Sequence, residues 1–478
     1  MTTGWKARWA AGLAALAAAG CVGVPDAGDM RELRAAAAET RLDDLAARQT
    51  TDRAVFLSGP LTLAEAVALA LEQNRSLQQE QQGREIARGR IRESYAEALP
   101  ALGLSGGYLR RDEELGATVD GEFVTTRHQD QYSAGLRLTQ PLYNGRIGAA
   151  LRGAKLYAAW AEAVLREATE DVRYEVIRAY YDAVLSAHLL EVNLAALETA
   201  EKQQADTRAR RRQGMASNYD ELRAEVEVSN FRAQVLRARN DKDVAQTTLF
   251  RLAGASPESA VELVDEIPRV EEEISFGAAA RTALERRADL IAAEYALRMQ
   301  RESVAVAKSR YLPEVSGYVS QAWANPDPHE STRDDWGDEW QAGIQASLPL
   351  FDGFGRSGAL IQERAKLRQL EIGLQDAEER ATSQIRQAVL SLATAAEFAR
   401  SQSQNLETAK EALRLVEAGR REGQNSALDV IDARQALTTA SANYYQSLFS
   451  HAMARVALQK AMGLLGAGAL PDAPVLKE

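Results

Sequence analysis

Two periodicities alternate along the chain and define its elements. From Ala149 to Gln213 the sequence is dominated by Ala, Leu, Glu, Arg and Val, with Gly153 its single glycine. That composition and spacing predict one helix of about 68 residues, close to 100 Å at 1.5 Å per residue. Gly214-Met215-Ala216-Ser217-Asn218 then breaks the pattern, and Tyr219 to Ala253 resumes it as a returning helix, so the two form a helical hairpin. Proline agrees, since it costs about 3 kcal/mol inside a helix and none occurs between Pro141 and Pro257 or between Pro349 and Pro471. Period two appears elsewhere: Tyr132, Ala134, Leu136 and Leu138 alternate with Ser133, Gly135, Arg137 and Thr139, and Trp340 to Leu348 alternates in the same way. These are strands with one apolar and one polar face. Weaker strands are expected at Leu102 to Arg111 and Glu314 to Trp323, just after Leu99-Pro100 and Leu312-Pro313 stop the preceding helices.

The pattern is written twice. Leu61-Thr62-Leu63-Ala64-Glu65-Ala66 returns as Ile274-Ser275-Phe276-Gly277-Ala278-Ala279. Pro141-Leu142-Tyr143 and Gly145 return as Pro349-Leu350-Phe351 and Gly353, and Gly214, Ser217 and Asp220 return as Gly423, Ser426 and Asp429. Matching order and spacing point to an internal tandem duplication. The first repeat spans 61–254, with a β-hairpin over 101–140 and a helical tip near 214–218; a linker follows at 255–273. The second repeat spans 274–464, with its β-hairpin over 314–348 and its tip near 423–427, and 465–478 form a tail. Each repeat opens with a helix expected to run unbroken, Thr62 to Ala98 or Ser275 to Tyr311.

The N-terminus carries a different signal. Lys6 and Arg8 precede an apolar run from Trp9 to Gly20, which ends Ala18-Ala19-Gly20 before Cys21. A dozen apolar residues are too few for a membrane-spanning helix, which needs about 20, so 1–20 read as a secretory signal. It resembles a bacterial lipoprotein signal, which implies that Cys21 is lipidated and begins the mature chain, with 21–60 as an N-terminal periplasmic segment. Cys21 is the only cysteine and the four histidines stand far apart, so disulfides and a Cys/His metal site are excluded. A net charge of −11 without a dense basic run argues against nucleic acid as partner.

The strands decide between a plain helical rod and a membrane protein. Their loops, Asp112 to Asp130 and Ala324 to Glu339, are polar and acidic, and Tyr108, Tyr132, Trp323, Trp336 and Trp340 gather near the strand ends. Alternating strands of about ten residues with aromatic ends suit an outer-membrane barrel, although a soluble β-subdomain looks alike over so short a stretch. Lipid tolerates no unpaired edges and the smallest common barrel needs about 8 strands. Four strands therefore have to be pooled among copies of the chain, by rotational symmetry.

Taken together, Leu61-Thr62-Leu63-Ala64-Glu65-Ala66, the element Ser347-Leu348-Pro349-Leu350-Phe351-Asp352-Gly353, the hairpin turns and the duplication resemble the TolC-like outer-membrane efflux proteins, over about Leu61 to Gly463. The resemblance implies a mainly α protein: a homotrimer with one 12-stranded barrel and a periplasmic α-barrel. It also implies a periplasmic adaptor and an inner-membrane transporter as partners, outer-membrane lipid around the barrel, and no cofactor beyond a lipid on Cys21. In that family acidic residues on the second returning helix face the pore at its closed tip. The matching residues here are Asp429 and Asp432, three apart on one helix face, with Asp220 at the corresponding place in the first repeat. In a threefold assembly they would form carboxylate rings that attract cations and raise one another's pKa. Their place at a helix start equally suits capping. Arg212, Arg420 and Arg421 lie near enough in sequence to Asp220 or its counterpart to close the tip by polar contacts.

Gly353-Phe354-Gly355-Arg356-Ser357-Gly358 matches G-x-G-x-x-G, but no second parallel strand follows, so it reads as a strand-to-helix junction rather than a dinucleotide site. No nucleophile elbow, P-loop or histidine-based catalytic cluster appears, which argues against an enzyme. The reading is an outer-membrane exit duct for small molecules, drugs, metals or polypeptides. The alternative is a structural or adaptor lipoprotein with coiled-coil hairpins.

Overall fold

The structure is a computed structural model that describes residues 27–38, 56–119, 122–270, 274–330 and 334–465. Cys21, expected to carry a lipid, lies outside the described residues. The chain divides into two compact units, 1–59 with 254–262 and 60–253 with 263–478. The smaller one holds α1 (Ala27–Ala36) and a crossing where the Leu57 amide donates to Ser259 Oγ at 3.2 Å.

In the larger unit the first half runs α2 (Leu63–Gln73), α3 (Arg75–Ala96), β2 (Ala101–Arg110), β3 (Leu115–Val119), β4 (Glu122–Arg127), β5 (Asp130–Tyr143), α4 (Gly145–Arg212) and α5 (Asn218–Ala253). Strand β1 (Ser58–Leu61) leads into it and β6 (Ala260–Leu263) leads out. The second half runs α6 (Phe276–Arg286), α7 (Ala288–Ser309), β7 (Glu314–Asn325), β8 (Gly337–Ser347), α8 (Gly355–Arg421) and α9 (Ala427–Ala461). Among the described residues both halves thus pass through one order of elements, with β3 and β4 extra in the first. Those two pair with each other and occupy most of the segment expected to be a polar loop over Asp112 to Asp130.

The long helices are as the periodicity predicts, 68 residues in α4 and 67 in α8, with returning helices of 36 and 35. The opening helices are not. The expected helix over Thr62 to Ala98 breaks at Asn74, and the one over Ser275 to Tyr311 breaks at Arg287, where ψ swings to 120° and 124°. Asn74 ends α2 and caps α3, its side-chain oxygen accepting from the Ser76 and Leu77 amides, while its Nδ2 donates to the Leu252 carbonyl at 3.1 Å. A residue that caps well and finds an acceptor on another helix outweighs the weak cost of ending a turn. The Leu61–Ala66 motif also acquires a physical meaning: Thr62 and Glu65 form a reciprocal capping box at the start of α2.

Helix α4 is the spine. It packs along α2, α3 and α5, and also along α7 and α9 of the second half. The core lies where the short helices meet the long ones: Ala279 and Ala283 of α6 against Ile385 and Leu392 of α8 and Leu458 and Met462 around the end of α9. Small alanines let the helix axes approach, and the branched side chains fill the seam. A second cluster, Ala200 with Val228 and Phe231, closes the first helical hairpin. Strands β2, β5, β7 and β8 form one antiparallel sheet in the order β2-β5-β7-β8, so β5–β7 joins the halves, and β2 and β8 are its two edges.

Candidate functional site: helical tips and an uncovered sheet

Both long helices end in the same way. Gly214 and Gly423 take φ of 75° and 78°, and the amides of Met215 and Gln424 reach back to the carbonyls of Arg210 and Gly419 at 2.8 Å. This six-to-one bond with a left-handed residue before it is a Schellman stop, which glycine makes without steric cost. The returning helices then start on matching capping boxes. Ser426 Oγ accepts from the Asp429 amide at 3.2 Å, and Asp429 Oδ2 accepts from the Ser426 amide at 2.7 Å. Ser217 and Asp220 repeat this at 3.1 and 3.0 Å. The three aspartates expected at a gate are therefore exposed at the tips, two of them in capping roles and Asp432 one turn further along α9.

Hydrogen bonds set the charge of these groups. The Ser426 amide and then its hydroxyl hold Asp429 below the usual carboxylate range. For Asp220 the Ser217 hydroxyl comes first and its amide second, with smaller pulls from Arg223 and Arg420. Arg420 lies in the last turn of α8, on the other helical hairpin from Asp220. Sequence reading missed two further contacts. Glu221 accepts from Arg211 and, at 3.1 Å, from Arg208, which lowers its pKa and clamps α5 to α4. Arg434 of α9 pairs with Glu417 of α8 at 2.8 Å, and its charge opposes the upward push of burial on Glu227 of α5. The available signal was an acid directly after Asp220, facing a run of arginines ending the long helix.

At the other end, register sorts the sheet into two faces. Leu102, Leu104 and Tyr108 pair with Leu138, Leu136 and Tyr132, and the same face continues through Val319 and Trp323 to Ala342, Trp340 and Ile344. The opposite face carries Gly103, Ser105, Arg137, Thr139, Ser320, Gln341 and Gln345. Within one chain the apolar face is bare: Leu104 is 78% exposed and Ile344 74%. Apolar surface of that extent calls for lipid or a partner. Aromatic residues mark both ends. Tyr108 and Tyr132 stand 5.1 Å apart and Tyr132 and Trp336 6.4 Å apart at one end. Phe351 and Phe354 meet edge-on at 5.6 Å near the other. Eleven residues separate Tyr132 from Tyr143, about 36 Å along a strand and roughly 25–30 Å along the normal at barrel tilt, which matches an outer-membrane apolar band. Among the described residues no helix is long and apolar enough to cross a membrane, and no group of His, Cys, Asp and Glu is placed to hold a metal ion.

The family model for outer membrane efflux proteins matches residues 66–255 and, again, residues 279–464. The chain belongs to the outer membrane efflux protein family. Among relatives, it is 24% identical over 413 residues to the alkaline protease secretion protein AprF of Pseudomonas aeruginosa, covering 85% of each chain. It is 22% identical to the outer membrane protein TolC of Vibrio cholerae, covering 84% of this chain and 91% of that one. The crystal structure of the Campylobacter jejuni CmeC outer membrane channel shares the fold, with a TM-score of 0.72 at 19% identity over 86% of this chain and 87% of that one. The G-x-G-x-x-G match resolves into a strand-to-helix junction: Gly353 and Phe354 take φ of 62° and 69°, and Asp352 Oδ2 receives the Arg356 amide at 2.9 Å.

Proposed function

We propose that this chain is the outer-membrane exit duct of a tripartite efflux or secretion system. Three copies pool four strands each into a 12-stranded barrel, and their helices continue as a periplasmic α-barrel. The two-fold internal repeat lets each protomer supply two similar sixths of the wall. A periplasmic adaptor and an inner-membrane transporter deliver cargo to the tips, and a lipid on Cys21 anchors the N-terminus. Asp429, Asp432 and Asp220 ring the narrow end and favour cations there.

The observation that carries this reading is the open sheet. Strands β2 and β8 leave their outer edges unpaired on a sheet with a bare apolar face, and hydrocarbon tolerates neither an open edge nor an isolated four-stranded sheet. Light scattering on the detergent-extracted mature protein, with bound detergent subtracted, tests it. A protein mass of three chains is expected. A stable monomer, or a mature chain soluble without detergent, would instead favour a structural or adaptor lipoprotein.

A further inference from the structure

Among the described residues, the polar face of the sheet carries a single cation, Arg137. Opposite Arg137 on β5 stand Gly103 on β2 and Ser320 on β7, and one register step away Thr139, Tyr318 and Gly343 align across three strands. The Tyr318 ring lies directly over Gly343, where an added Cβ would come within 3.0 Å of the phenol oxygen. The Arg137 guanidinium in turn stacks on that ring, 4.4 Å from its centroid. Glycine lets tyrosine lie flat, and the flat ring fixes the cation against the wall instead of leaving it free to swing. The acids on this face sit toward the strand ends: Glu314 at the start of β7, where Asn144 donates to it at 3.4 Å, and Glu339 near the start of β8, where Gln341 donates to it at 3.0 Å.

We infer that Arg137 lines the lumen at mid-height of the barrel as a guanidinium collar, one per protomer, that favours anionic solutes over cations in this section of the duct. The inference rests on the trimeric-barrel reading above. It follows because the apolar face has to meet lipid, which turns the polar face and Arg137 inward. Three fixed cations around one lumen act together on passing ions, as rings of Arg or Lys do in anion-selective pores. Their sign is opposite to the aspartates at the tips, so the two ends of the duct would sort charge in series.

Two experiments on the full-length protein test this. In intact cells, Arg137→Cys and Leu138→Cys are exposed to a membrane-impermeant sulfonated maleimide, with the parent chain, whose only cysteine is Cys21, as background. Labelling of the first and protection of the second are expected; the reverse pattern overturns the inward placement. In planar bilayers under a KCl gradient, the potassium-to-chloride permeability ratio is expected to rise about twofold or more in Arg137→Gln and further in Arg137→Glu. The difference should shrink near 1 M salt, where the Debye length falls to about 3 Å. A conducting variant with an unchanged ratio overturns the collar. If the unsubstituted protein forms no channels at all, the duct reading fails instead.

Discussion

One buried hydroxyl holds three segments together. Tyr180, fully buried on α4, donates to the Leu61 carbonyl at 2.9 Å, has Asp265 Oδ2 as a second acceptor at 3.2 Å, and accepts from the Asp265 amide. The same Asp265 carboxylate receives the Leu63 amide that opens α2. Removing the hydroxyl strands polar groups away from water, so Tyr180→Phe is expected to lower stability by roughly 1–3 kcal/mol, read as a lower thermal midpoint in detergent. Burial pushes the Tyr180 phenol from 10.0 up to about 12. A raised pKa means the folded state keeps the proton longer than the unfolded chain does. Its contribution is complete below about pH 10 and is lost as pH rises through about 12. The alkaline fall in stability over that window should flatten in Tyr180→Phe; an equal fall in both proteins would remove Tyr180 as its source.

Helix ends carry the next level of organisation. Gly463 closes α9 with φ of 69° and the Leu464 amide on the Gln459 carbonyl, and a Cβ there would meet the Arg286 carbonyl and the Arg287 amide at 2.9 Å. Backbone cannot move aside as a side chain can. Gly463→Ala is therefore expected to cost about 2 kcal/mol or more, through both strain and overpacking at the seam between α9 and the α6–α7 break, measured by thermal unfolding. The tips are held more loosely, by exposed caps. Losing the box in Ser426→Ala should raise hydrogen exchange over the first turn of α9 while leaving α4 unchanged. Because Ser426 and Ser217 lower the pKa of Asp429 and Asp220, the caps are intact above the ordinary aspartate pKa and fail as pH falls through the lower folded values. Tip protection, corrected for the intrinsic exchange rate, should therefore drop on acidification below about pH 4, and less steeply in Ser426→Ala.

Across the whole molecule, the two ends present different surfaces: the sheet bares apolar side chains such as Leu104 and Ile344, and the tips bare Asp220, Asp429 and Asp432. If the aspartates form rings, Asp429→Ala with Asp432→Ala should reduce cation selectivity in bilayer recordings; retained selectivity would confine Asp429 to its capping role. The Arg137 collar predicts the opposite change when its charge is removed, so the two sets of variants separate the ends of the duct.

Element identity was written in local pattern, because periods of 3.6 and 2 depend only on neighbours along the chain. Long helices, strands and glycine turns were therefore legible from residues such as Gly214, Gly423 and the alternation around Leu136. The breaks at Asn74 and Arg287 were not, because Asn74 turns on the Leu252 carbonyl of α5, and Arg287 on Gln384 and the Ala461 carbonyl. Neither set of partners is visible from local spacing. The β3–β4 hairpin was hidden in a polar segment without clean alternation. At the site, the sequence by itself determined which residues are acidic and where the tips turn. Only the tertiary structure decided that Arg434 pairs with Glu417 across the second helical hairpin and that Arg137 stacks on Tyr318 of another strand, since both follow from packing between different elements.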